Sequence, residues 1–315
     1  MRYAALFAGL AGLLWACPAA AQTRCAQFEM VGTGARVPYN PFDPNDASQA
    51  FQVRVERLNS AASKVRFLLV DTTRGTTGPK LGPNGPMDYD IRWAGDATRT
   101  AFVADNQMVN ETNGALGTFN STGVDMVDFR LTIPRGQSAP ASIHLEELEV
   151  RYQCLDASGN TIGSQQEQLA PIEVRAIVPL YAAAYIGGPG SYRGLIDFGE
   201  INAATANLTK SLAVTALSTV PYEVLVQSDH AGKIVRTPTD PGIAYRMRYA
   251  QTEVPNGGRI VCPVTPMPGG QSRDFEVTLD RNALKGAASG DYGDVVTLTF
   301  TPKDIASPAG CALKP

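Results

Sequence analysis

The chain has two histidines, and any acid–base or nucleophilic site would have to gather partners around one of them. His144 lies inside an alternating run, and His230 sits in the polar turn Ser228-Asp229-His230-Ala231-Gly232. There is no G-x-S-x-G elbow to supply a nucleophile and no H-E-x-x-H pair to hold zinc, so both histidines read as ordinary surface or edge residues. Asp88, Asp90 and Asp96 are close in sequence, but a Ca²⁺ loop orders its acids with backbone carbonyls and a bidentate closing acid, and that order is missing. They read as solvated strand ends. Glu146, Glu147 and Glu149 form the densest acidic spot, and Glu147 and Glu149 oppose Leu148 and Val150, the pattern of an exposed sheet face. No catalytic, metal-ligating or cofactor-binding residue is expected, and no enzyme.

The remaining reactive side chains are cysteines, and their compartment decides their chemistry. Met1-Arg2 is a short basic start, residues 6–15 are an apolar run, and Ala19-Ala20-Ala21 is a small-residue cleavage site, so residues 1–21 read as a signal peptide and the protein as exported. Leu14-Trp15-Ala16-Cys17 loosely resembles a lipoprotein box, but bulky Trp15 stands where a small residue is usual, and Ala-x-Ala offers a better cut. Cys25, Cys154, Cys262 and Cys311 then remain, an even number in an exported chain, which favours two disulfides over a metal site. Three pairings are open; if the chain has two domains, the local choice is Cys25 with Cys154 and Cys262 with Cys311. The charge balance, 27 − 30 = −3, has no basic run to neutralise phosphates, so nucleic acid is not a partner.

Helix signals are almost absent, whereas short alternating runs recur between Gly, Pro, Asn and Asp clusters, the pattern of an all-β sandwich. Phe51, Val53 and Val55 share one face, as do the alternate residues of 65–69, 129–133 and 148–152. The second half repeats this order: 212–216 and 222–226 stand where 51–55 and 65–69 stood, 245–249 echoes 89–93, and 274–279 echoes 128–133. The expected fold is two tandem immunoglobulin-like antiparallel β-sandwich domains, 22–171 and 172–315. The first half continues into Ile172-Glu173-Val174-Arg175-Ala176-Ile177-Val178, an alternating run able to close its own sheet. The second half ends differently. After Val296, Leu298 and Phe300, which share a face, Pro302 and a small, polar tail offer no further alternating run, so the second sandwich is expected to lack a strand and to expose a sheet edge.

At Leu195-Ile196-Asp197-Phe198-Gly199, at 222–226 and at the ending Gly290-Asp291-Tyr292-Gly293-Asp294-Val295-Val296-Thr297-Leu298-Thr299, the chain resembles the spore coat protein U domain family, which includes subunits of archaic chaperone-usher pili. The family shows a Phe-Gly followed by a turn and closes on a Gly-x-Tyr-x-Asp stretch leading into a Val/Thr strand. The first half fits more loosely: Pro38-Tyr39-Asn40-Pro41-Phe42 resembles the family turn without its Phe-Gly, and 144–152 lacks the Gly-x-Tyr-x-Asp signature. The resemblance implies an incomplete pilin fold in the second domain, with Val296, Leu298 and Phe300 lining a groove for a donor strand. It implies as partners a periplasmic chaperone, an outer-membrane usher and an adjacent pilin donating its N-terminal strand.

A donating arm needs some 10 residues at about 3.3 Å each, whereas Cys25 follows closely on the cleavage site and a disulfide there would tie the N-terminus to its own domain. The expectation is therefore a two-domain tip subunit on the cell surface, accepting a strand without giving one. Its first domain would contact an abiotic or host surface through apolar residues in Pro/Gly-stiffened loops, Phe42, Leu81 and Met87. The competing readings are a periplasmic two-domain pilus chaperone, which would supply a strand, and an envelope or coat structural protein with no adhesive role.

Overall fold

A computed structural model describes residues 24–72, 79–82, 87–104, 107–202 and 204–314; the signal-peptide reading falls outside them, as does the loop stretch 83–86 between Leu81 and Met87. Strands dominate, and most follow the alternation of their side chains. The first module runs through β1 (Ala26–Met30), β2 (Ala35–Pro38), β3 (Ala47–Arg57), β4 (Lys64–Val70), β5 (Lys80–Leu81) and β6 (Met87–Asp88). It continues with β7 (Asp90–Trp93), β8 (Phe102–Val103), β9 (Ala115–Thr118), β10 (Val124–Ile133), β11 (Ser142–Leu155) and β12 (Thr161–Val178). One sheet has the order β1-β3-β10-β7, and the facing sheet β2-β12-β11-β4-β8 with β9 also on β4. Their inner faces meet in one core, where Phe28 packs on Phe67 and Tyr152, and Phe67 on Phe129.

The second module contains β13 (Ala182–Ile186), β14 (Thr209–Ser218), β15 (Tyr222–Ser228), β16 (Lys233–Ile234), β17 (Ile243–Tyr249), β18 (Thr252–Val254) and β19 (Arg259–Cys262). After β20 (Gln271–Leu279) and a single helical turn, α1 (Arg281–Leu284), come β21 (Val296–Pro302) and β22 (Ala312–Leu313). One sheet has the order β13-β14-β20-β17-β16 and the other β21-β15-β19-β22. The chain is two tandem immunoglobulin-like sandwiches with separate cores.

The strand pairings make the repeat exact in register. Phe129 faces Phe51 and Phe275 faces Leu212 across β10/β3 and β20/β14. Val150 faces Leu69 and Leu298 faces Val226 across β11/β4 and β21/β15. Thus β11 and β21 are the same strand in the two modules. The division between modules falls later than the expected 171/172, because β12 stays paired with β11 as far as Ser142↔Val178 and so belongs to the first sandwich. The disulfides are Cys25–Cys154 and Cys262–Cys311, one within each module.

Three surface expectations change. His144 is 4% exposed and its Nε2 lies 3.2 Å from the Pro140 carbonyl, because it faces inward beside Glu146 on β11. Glu149, expected on a solvated face, is buried against Arg151 with Nε to Oε1 at 2.5 Å, because the segment around Val109 folds over the outside of the sheet and packs on Leu68 and Val70. Leu81 and Met87, expected to project from a loop, are wholly buried: they face each other across the β5–β6 pair and their side chains enter the first core. An isolated apolar side chain gains more by burial, roughly 1.5–3 kcal/mol, than by waiting in water for a surface.

Candidate functional site

The second sandwich carries at one sheet edge a strand, β21, with one neighbour. β11 lies between β4 and β12, whereas β21 pairs with β15 alone among the described residues. The consequence is visible side chain by side chain. In the first module Leu148, Val150 and Tyr152 are fully buried, and β12 lays Ile172, Val174, Ala176 and Val178 into the same core. Their counterparts Val296, Leu298 and Phe300 pack on the second core but remain half-exposed. Phe300 is held by Tyr222 at 5.7 Å and Tyr249 at 6.1 Å between ring centroids, so the strand is correctly faced and lacks only its cover.

The chain had residues left with which to close this edge, and it takes them elsewhere. Beyond β21 the tail crosses to the opposite side of the sheet, where β22 pairs with β19, Ile260 facing Leu313. Cys262–Cys311 bolts it there, and the Lys314 amide donates to the Arg259 carbonyl at 2.8 Å. Glu223, on β15 and 2% exposed, gathers three cations: Arg259 at 2.6 Å, Lys314 at 3.0 Å and Lys303 at 3.5 Å. Burial alone would raise its pKa, but the hydrogen bonds from Lys314 and Arg259 and the charge of Lys303 outweigh that and lower it to about 2.

The other end of β21 is fixed by the Gly-x-Tyr-x-Asp stretch. Asp294, its side chain 3% exposed, accepts from Ser228 Oγ at 2.5 Å, from the Tyr245 hydroxyl, from the His230 amide at 3.2 Å and from the Val295 amide at 2.8 Å; His230 Nδ1 lies 2.9 Å away. Burial opposes its charge, yet these hydrogen bonds hold its pKa below the ordinary carboxylate value. Gly290 has φ +151°, and a Cβ there would meet Arg236 Cδ at 2.5 Å, which is why the motif starts on glycine. By register Asp294 stands where Glu146 stands in the first module, Ser228 where Asp71 stands, and Tyr245 where Tyr89 donates to Asp71 at 3.0 Å. The first module therefore has an acid at the signature position, though its sequence lacks the signature.

Serine, histidine and aspartate meet here, but not as a hydrolytic triad. Ser228 Oγ donates to the carboxylate and accepts the Gly232 amide at 2.8 Å, so the nucleophile-to-imidazole contact that would activate it is replaced. Among the described residues no three His, Cys, Asp or Glu side chains form a group that could hold a metal. The arrangement is a latch on the base of β21. Asp294→Asn should cost the second sandwich about 2–4 kcal/mol at neutral pH. Because the carboxyl is depressed in the folded state, its contribution is full above the unfolded value and lost as pH falls through the folded one. Denaturant titrations of the two proteins should therefore converge in acid; a gap that persisted unchanged there would exclude the ionised latch.

Of the residues expected to touch a surface, none stands free. Leu81 and Met87 are core, and the Phe42 ring lies half-buried on Tyr181, centroids 5.3 Å apart, in the connector between modules. Val296, Leu298 and Phe300, by contrast, lie together along one open edge. Glu223 was overlooked in the sequence, although one acid in the run Tyr222-Glu223-Val224-Leu225-Val226 and the two lysines of the tail, Lys303 and Lys314, were a signal.

No family model matches the chain, and no curated protein matches it. Among solved structures it is similar to the CsuC–CsuE chaperone–tip adhesion subunit pre-assembly complex of the archaic chaperone-usher Csu pili of Acinetobacter baumannii, at 12% identity and TM-score 0.43, over 87% of this chain and 99% of that one. The CooA pilin subunit of enterotoxigenic Escherichia coli matches at 15% identity and TM-score 0.29 over 48% of this chain and 98% of that one. BcpA, the major pilin subunit of Bacillus cereus, matches at 10% identity and TM-score 0.22 over 82% and 67%. Likeness at this level assigns no partner.

Proposed function

We propose that the chain is a structural subunit of a chaperone-usher type pilus whose second sandwich is completed by a strand from the adjacent subunit. One observation carries the reading: one edge of β21 is unpaired among the described residues and its inward side chains stay half-exposed, while the tail that follows it is bolted to the far edge by Cys262–Cys311 and Glu223. An open apolar edge of this kind invites strand addition, and a periplasmic chaperone would hold it until an outer-membrane usher delivers the donor.

The first sandwich serves as the internal image of the completed second. β12 runs antiparallel to β11 and beside β2, seating Ile172, Val174, Ala176 and Val178 opposite Leu148, Glu146, His144 and Ser142. By the same register an incoming strand would lie over Val296, Asp294, Tyr292 and Gly290, so the groove extends past β21 into the signature turn. Ile196 and Phe198, half-exposed after β13, would form its other wall, as Ala35 and Val37 do in the first module. A strand in that direction starts near Pro302, beside the first module, and leaves at Gly290, on the far side. The donor's body would then lie away from the first module, which agrees with a position at the fibre tip.

The stretch that precedes the second module, where a donor arm would be, is already spent as β12 in closing the first. Contact with an abiotic or host surface falls to the opposite pole of the first sandwich, the turns 58–61, 120–123 and 156–160. Those turns are short and mostly polar, with Leu58 exposed among them. The burial of Leu81 and Met87 and the packing of Phe42 on Tyr181 favour, as a second reading, a non-adhesive structural subunit of the envelope.

The test is to append residues 171–178 after the C-terminus on a flexible linker of about 20 residues, long enough to span the sandwich. The unmodified chain should self-associate, and the appended one should be a monomer whose second-module transition rises by ~10 °C or more. A monomeric parent with the same melting temperature as the appended chain would remove the reading.

A further inference from the structure

We infer that Thr219 clamps the connector between the two sandwiches, so that the chain is one rigid rod and not two bodies on a short tether. The connector, residues 179–181, joins β12 to β13, and a link of that kind leaves two modules free to swing unless something holds it. Thr219 is at the tip of the β14–β15 turn, where a residue is ordinarily wet; here it is 1% exposed.

Every polar group of Thr219 is engaged across the junction. Its amide donates to the Tyr181 carbonyl at 3.0 Å, and its carbonyl accepts from the Ala141 amide of the first module at 2.7 Å. Its hydroxyl accepts from the Tyr181 amide at 2.9 Å and donates to the Pro179 carbonyl at 2.6 Å. Only a short hydroxyl can both give and take in that space; valine has the shape without either function. The Phe42 ring, from the first module, covers Tyr181 from the other side. The Pro179 carbonyl and both backbone groups of Tyr181 are thus bonded to Thr219, whose own carbonyl holds Ala141 of the first module, and bending the connector would strand the buried groups of Thr219.

The clamp also reaches the open strand. Pro221, in the same turn, accepts from the Lys303 amide at 2.8 Å immediately beyond β21. The orientation of the first module and the position of the groove's near end are therefore set by one turn.

Spin labels on cysteines replacing Ser121, at the free pole of the first module, and Ser289, at the far pole of the second, read the angle as a distance distribution. The labelled full chain is diluted into unlabelled protein so that only distances within one molecule are seen. The unmodified background should give one narrow distance. Thr219→Val should broaden it at least ~2-fold while both calorimetric transitions persist, and Phe42→Ala, which removes a half-exposed ring and threatens neither core, should broaden it in the same sense. Thr215→Val, an outward hydroxyl on the same strand, should change nothing. A broad distribution in the unmodified background, or one left narrow by both Thr219→Val and Phe42→Ala, would overturn the clamp.

Discussion

Val174→Asp should unfold the first sandwich and leave the second intact. Val174 is fully buried on β12, directly opposite Glu146, itself 6% exposed, so the substitution places a second carboxyl beside a buried acid with no cation supplied. Burying an unpaired charge and losing an apolar side chain together cost about 4 kcal/mol or more, against a domain stability of about 5–15 kcal/mol. Calorimetry should show the first-module transition lost or moved far down, with the second unchanged. Glu173→Gln, one residue away on the outward face, is the control and should be within about 0.5 kcal/mol of the parent. If Val174→Asp melted like the control, β12 would not be what closes the first core, and its use as the image of a donated strand would fall with it.

Glu223→Gln should cost the second sandwich about 3–5 kcal/mol at neutral pH, because it leaves three cations gathered around a site with no charge to answer them. The tail should then loosen from β19, held by Cys262–Cys311 and the short β22 pairing, and be clipped sooner by trypsin after Lys303. The sign with pH follows from the depressed carboxyl: its contribution is complete above the unfolded value of 4.5 and disappears as pH falls through about 2. Parent and variant should therefore differ most at neutral pH and converge near pH 2. The arginine and lysine ends are partly in water, so the difference should also shrink in high salt. A difference independent of pH and salt would mean that Glu223 matters through its packing and not its charge.

Much of the architecture could be read from the alternation of residue types. Strands that bury one face must place apolar residues at every second position, so the repeat, the closing run 172–178 and the missing run after Phe300 were all legible. The side chains that hold the open edge were less so. Asp294 was visible as part of a signature, but not as a carboxylate gathering Ser228, Tyr245 and His230, since those partners come from turns and strands far apart in sequence. The loop residues were misjudged for a related reason: periodicity fails in short loops, and whether Leu81, Met87 or Phe42 points to water depends on what lies beneath them.

The sequence by itself determined that the chain is two β-sandwiches with a repeated strand order, that its cysteines serve structure, and that Lys303 to Pro315 carries no alternating run to match 172–178. Local patterning suffices for these, because pleat geometry and turn chemistry act over a few residues. Only the tertiary structure decided where the leftover tail goes, that it crosses to β19 and leaves β21 bare, and that the junction turn around Thr219 is buried. Those outcomes turn on a buried ion cluster, a disulfide and hydrogen bonds between residues up to 91 positions apart, and no spacing rule along the chain encodes which of several available edges such contacts will favour.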